Sequence, residues 1–119
     1  MTTYQVYQPQ NRELFRDFWF HRHHPEMAEG QNLFELAKER PGSYMTCCHF
    51  TLAWTVEADT IHEAYRSVEF REGNIKQEID FATSLEIGHI IHSHDSDQLY
   101  LVEACGFLPL GLSFLGTIQ

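Results

Sequence analysis

Apolar residues in this chain switch from helical spacing to alternation and back before residue 70, and that switching leaves few folds open. In "NRELFRDFWFHRHH", Leu14, Phe15, Phe18 and Trp19 follow i, i+1, i+4, i+5 spacing, which places them on one stripe of a helix. Asn11 stands where an N-cap belongs, because its side-chain carbonyl accepts from a free N–H of the first turn. "NLFELAKERPG" predicts a second helix, with Asn32 as cap, Glu35 at the capping-box position and Pro41-Gly42 as its stop. From Tyr44 to Glu57 the pattern alternates. Cys48, Phe50, Leu52, Trp54 and Val56 fall on one side, with Cys47, His49, Thr51, Thr55 and Glu57 on the other, so a long strand with one buried face is expected. "DTIHEAYRSVEF" returns to helical spacing, with Thr60 as N-cap, Glu63 three residues on, and Ile61, Ala64, Tyr65 and Val68 as its stripe.

Residues 72–84 have no clean period and predict a connecting loop. "LEIGHII", "QLYLVEACGF" and "LGLSFLGTI" then read as three short strands joined by turns. The element order predicts a single α+β domain over residues 1–119. It would have two N-terminal helices, a long strand, a helix and a three-stranded antiparallel meander, with the helices packed on one face of a single sheet. A second core would have too few residues to bury.

Eight Lys plus Arg against seventeen Asp plus Glu leave a formal charge of −9, which repels phosphate backbones. Nucleic-acid binding through a basic patch is therefore not expected, nor is attachment to an anionic membrane. No apolar run approaches the roughly 20 residues of a spanning helix. The apolar tail is broken by Gly106, Pro109, Gly111 and Gly116. Cys47 and Cys48 are adjacent and Cys105 is remote, without the spacing of a disulfide framework, and no signal-peptide pattern opens the chain. A reduced, cytoplasmic setting is expected. Aromatic residues are 13% of the chain, enough to fill a core and leave some for a protein interface or self-association.

"GHIIHSHDSD", residues 88–97, carries three histidines and two aspartates and raises the question of a metal. On a strand, His89 and His92 point to opposite faces, whereas His92 and His94 share one, so only the H-x-H pair has ligand geometry. A catalytic zinc needs three protein ligands and an open position, and the third ligand would have to come from elsewhere: His49, Glu103 or one of the histidines at the end of the first helix. The segment superficially resembles the H-S-H core of deubiquitinase-type metalloproteases. That pattern continues with seven spacers and Ser-x-x-Asp, and here the serine position holds Val102. The simpler expectation is a hairpin whose tip, "SHDSDQ", is polar because turns face water. His21, His23 and His24 suit the negative end of a helix dipole. Side chains of Cys47 and Cys48 would diverge on a strand and not grip one ion together. With no phosphate-binding glycine loop, no G-x-S-x-G and no Cys-x-x-Cys, no catalytic residue and no cofactor are assigned.

One longer pattern covers residues 60–110. "EAYRSVEF", then "SLEIGHII", then "LYLVEACGFLPL" resembles small proteins and modules of phages, plasmids and conjugative elements, including YodL-like domains. There a helix precedes Ser-Leu-Ser-Val-(Gly or Ser)-Asp-Val and then Tyr-x-Val-Asp-x-x-Gly-Phe. Ser84, Leu85, Gly88, Tyr100, Val102, Gly106 and Phe107 stand in the matching order, with His89 and Glu103 replacing the two aspartates. The resemblance implies an accessory domain that contacts a partner, with Gly88 and Gly106-Phe107 as scaffold. The expected function is therefore that of a small acidic, non-enzymatic protein that binds and regulates a protein partner. Two alternatives stand beside it: a zinc-dependent hydrolase or metal-binding protein using His92 and His94 with His89 or His49, and a binder of a small ligand or nucleotide signal.

Overall fold

At the start of the chain Tyr4 and Val6 alternate with Gln5 and Tyr7. In the computed structural model, which describes residues 1–25 and 27–112, this stretch is a strand, β1 (Thr2–Pro9). It was not anticipated, although aromatic and β-branched residues at every second position are a strand signal. The other strands are β2 (Phe50–Ala58), β3 (Asn74–Gln77), β4 (Ile90–Ser93), β5 (Gln98–Glu103) and β6 (Gly106–Leu112). They form one antiparallel sheet in the order β3-β2-β1-β4-β5-β6, so the unanticipated strand lies in its middle. Thr83, Gln8 and Trp54 are bound together there. Gln8 donates to the Thr83 carbonyl at 2.7 Å and accepts from its N–H at 3.0 Å, and Trp54 Nε1 donates to the same carbonyl at 2.9 Å. Residues 72–84 are thus tied to the sheet rather than looping free, and β3 within them pairs with β2.

The helix starts follow the local signals. Asn11 accepts from Leu14 N at 3.0 Å and opens α1 (Arg12–Phe20), and Asn32 accepts from Glu35 N at 2.8 Å and opens α2 (Leu33–Glu39). The next helix, α3 (Pro41–Cys47), occupies the first residues of the expected long strand. Pro41 ends α2 but also begins α3, since proline at the first helical position has φ already set and loses no N–H bond. The strand itself starts only at Phe50, after His49 turns the chain at φ 54. Its alternation is then broken by an irregularity opposite Val6 and Tyr7, so Ala53 and Trp54 are both buried.

Thr60 Oγ1 accepts from Glu63 N at 3.2 Å and opens α4 (Ile61–Phe70), while Glu63 Oε2 accepts from Asp59 N at 3.1 Å. Thr60→Ala is expected to cost about 1 kcal/mol of stability, read as a lowered urea midpoint with an unchanged slope. No loss would mean that this cap is idle.

Helices flank both faces of the sheet, which corrects the expectation of a single covered face. Ile90, Leu99 and Leu101 pack with Phe15, Leu36 and Tyr44 of α1, α2 and α3. Their sequence neighbours Ile91 and Val102 pack with Tyr4, Val6, Trp54 and Val56 and with Ala64 and Val68 of α4. Successive residues of a strand face opposite ways, so apolar neighbours on β4 and β5 demand cover on both sides. Of the expected meander, β4, β5 and β6 pair as antiparallel neighbours, but the turn at 104–105 falls inside the expected second strand, 98–107. Its first strand runs Ile90–Ser93 rather than from Leu85, and its last begins at Gly106. The expected end of that last strand, 113–118, lies outside the described residues. No helix among the described residues is long and apolar enough to cross a membrane.

Candidate functional site

The four histidines considered as metal ligands take four different environments. His92 is buried on β4, with Nε2 2.7 Å from Asp97 Oδ1 and Nδ1 3.1 Å from Gln5 Oε1. Asp97 closes the β4–β5 turn at φ 54, a conformation that aspartate tolerates, so this pair braces the hairpin tip. His94 is exposed on that tip, where its N–H donates to the Thr3 carbonyl at 2.9 Å. Its ring centroid lies 6.5 Å from that of His92. His49 is exposed at the α3–β2 turn, its carbonyl accepting from Gln10 N at 2.9 Å. His89 is buried, and its Nδ1 accepts from Glu86 N at 3.2 Å. Among the described residues no three His, Cys, Asp or Glu side chains are placed to hold a metal ion. At the end of α1, His23 Nε2 lies 3.0 Å from the Met27 carbonyl, and the His24 ring meets Phe18 edge-on.

Cys47 and Cys48 do not diverge. The expectation that they would assumed a strand, whereas Cys47 is the last residue of α3 and Cys48 its C-cap. Their sulfurs are 3.7 Å apart.

A groove of about 310 Å³ opens between α1 and the turn preceding β4. Its apolar walls are Phe15, Trp19 and Phe20 on one side and Ile87 on the other. Gly88 makes this close approach workable. A Cβ there would lie 2.7 Å from Phe15 Cζ and 3.2 Å from Trp19 Cζ3, and the residue has φ +94, so glycine alone suits both the space and the backbone. The Tyr44 hydroxyl donates to the Gly88 carbonyl from beneath. Glu86 ties the turn to α1: Arg12 Nε donates to Oε2 at 3.0 Å, and Arg16 donates to Oε1. Partial burial pushes the Glu86 carboxyl pKa up, but the two guanidiniums outweigh it and hold the group below its ordinary value. Burial pulls the His89 imidazole down to about 4, opposed by Glu86 and assisted by Arg12 and Arg16, so the ring is neutral near pH 7. With Nδ1 accepting, its proton sits on Nε2, 3.9 Å from Glu86 Oε2.

These titratable groups are committed to holding the shape of the groove. What faces outward is apolar: Phe20 is 66% exposed and Ile87 45% exposed. The sequence carried a trace of this surface, because Phe20 follows Phe18 and Trp19 on a helix whose stripe those two already occupy. Its partner Ile87 and the intervening Gly88 come from a turn distant in sequence. No family model, curated protein or solved structure matches the chain.

Proposed function

We propose that this chain is a small non-enzymatic accessory domain of the cytoplasm that binds and regulates a protein partner through the groove between α1 and the turn before β4. The observation that carries this reading is the exposure of Phe20 (66%) and Ile87 (45%) on the two rims of a groove with an aromatic floor. A large exposed aromatic gains nothing by facing water, and beside a ready-made apolar pocket it has the make-up of an interface anchor. The occupant is an apolar side chain of the partner, seated over Trp19. The charge of −9 favours a partner with a basic surface, which raises the rate of encounter, while the groove supplies the short-range fit. The motif likeness to phage, plasmid and conjugative-element modules agrees with an accessory role.

A double substitution, Phe20→Asp with Ile87→Asp, tests the reading, since both residues are exposed and the fold does not need them. The wild-type chain is expected to retain a partner from an extract of the native host, and the double variant to bind that partner at least ~30-fold more weakly, the loss of about 2 kcal/mol typical of an anchor residue. Light scattering separates self-association from a foreign partner. Equal retention by both chains would remove the groove from the interface.

A further inference from the structure

We infer that Cys47 and Cys48 form a two-thiolate chelate for one soft centre, a divalent d10 metal ion or an organic trivalent metalloid, seated in the cleft between α1 and the end of α3. That cleft, about 240 Å³, is lined by Leu14, Phe15 and Phe18 of α1, by Cys47, Cys48 and His49, and by Gln10 and Asn11 between β1 and α1. It opens beside Leu14, 40% exposed, and the exposed His49.

The spacing of the sulfurs fits a shared centre better than a bond between them. Two sulfurs held at about 2.3 Å by one tetrahedral centre stand roughly 3.8 Å apart. Here an S–H···S contact already holds them 3.7 Å apart, so one centre could replace the shared proton with little movement of either sulfur. Direct S–S closure is less suited, because neighbouring Cα atoms are about 3.8 Å apart across a trans peptide, short of the roughly 4.4–6.8 Å that disulfides span. The arrangement comes from the helix end: Cys48 has φ −94 and ψ 5, and Cys47 Sγ, 3.5 Å from the Tyr44 carbonyl, is turned back along α3.

The surroundings select soft chemistry. Hard cations favour carboxylate oxygens, and the side-chain oxygens on this cleft are the amides of Gln10 and Asn11, the latter accepting from Leu14 N, with no carboxylate among the described lining residues. Two thiolates with a divalent centre are neutral overall, so the complex avoids the cost of placing net charge against Leu14, Phe15 and Phe18. As the protein supplies two ligands, the remaining positions face the cleft. For an organic metalloid they would hold the organic group against the apolar wall.

The chemistry changes no oxidation state. With an arylarsine oxide, two S–H bonds and the As=O bond are lost, two As–S bonds form, and the oxygen leaves as water with the two thiol protons. A metal ion instead releases both protons to solvent. Affinity for the ion should then rise by up to ~100-fold per pH unit while both thiols are protonated.

Phenylarsine oxide is the probe, added in equimolar amount to the reduced full chain and read by intact mass. One adduct is expected, present in Cys105→Ser and lost in Cys47→Ala, whose site is half-buried and tolerates the change, with circular dichroism confirming its fold. The folded chain should bind the probe at least 10-fold more tightly than a synthetic peptide of residues 44–51. Protection of the thiols by prior loading with zinc or cadmium ion identifies a metal-ion site. Without protection the site belongs to the metalloid, and either result supports the chelate. Failure to form the adduct, its survival in Cys47→Ala, its dependence on Cys105, or equal affinity for the peptide would each overturn the inference.

Discussion

Replacing Gly88 by alanine is expected to destabilise the fold by about 2–5 kcal/mol, a large share of the 5–15 kcal/mol typical of a domain. Two separate costs add. The left-handed backbone at φ +94 strains any residue with a Cβ, by about 1–2 kcal/mol. The new methyl group would also meet the Phe15 ring at 2.7 Å, and such overpacking costs about 1–3 kcal/mol. Phe15 cannot step aside readily, because its ring contacts those of Trp19, Tyr44 and Phe50 with centroids 5.7–6.2 Å away. Gly30→Ala separates the two costs, since Gly30 has φ +78 but nothing within 4 Å of its built Cβ. Urea unfolding should show Gly30→Ala paying only the backbone term and Gly88→Ala clearly more. Phe15→Leu should be less harmful in the Gly88→Ala background than alone. Equal losses at the two glycines would show that aromatic packing over Gly88 is not what demands glycine there.

The second large effect is acid sensitivity that begins well above the carboxylate range. His89 is held neutral by burial, its pKa lowered from 6.5 to about 4, whereas the unfolded chain takes up the proton at the ordinary value. Because the unfolded state binds that proton first, the associated stability is complete above pH 6.5 and is lost as pH falls toward 4. The difference corresponds to about 3 kcal/mol at the acid end. Glu86 acts in the same direction but lower, since a depressed carboxyl pKa matters only once free carboxylates begin to protonate. Its partners Arg12 and Arg16 have side chains 43% and 50% exposed, so solvent screens that contribution. Chemical denaturation between pH 7.5 and 4 should therefore show a decline starting near 6.5 in the wild type. His89→Gln, though less stable at neutral pH, should stay nearly flat down to about pH 5. Parallel profiles for the two chains would assign the decline to other groups.

The candidate surfaces were less legible than the elements that build them. The "HIIHSHD" segment drew attention through residue type, yet its histidines separate: His89 under the Phe15 ring, His92 against Asp97 and Gln5, His94 in solvent. Cys47 and Cys48 were misplaced because the alternation of residues 44–57 is genuine only from Phe50 onward. Before that, apolar Tyr44 and Met45 are equally good helix residues once Pro41 restarts the chain. A short apolar run has no period of its own, and a proline can begin a helix as well as end one.

The sequence by itself determined the starts of α1, α2 and α4 and the polar turn after β4. Their causes are local: Asn11, Asn32 and Thr60 each bind an N–H three residues ahead, within reach whatever the rest of the chain does. Tertiary structure alone decided that Thr2–Pro9 lies at the centre of the sheet, that helices cover both of its faces, and that Phe20 and Ile87 share a groove. Those outcomes join residues far apart in the chain, as Gln8 is joined to Thr83. Such contacts are chosen by the competition of all strands for neighbours and of all apolar faces for cover, and no single stretch of residues holds that choice.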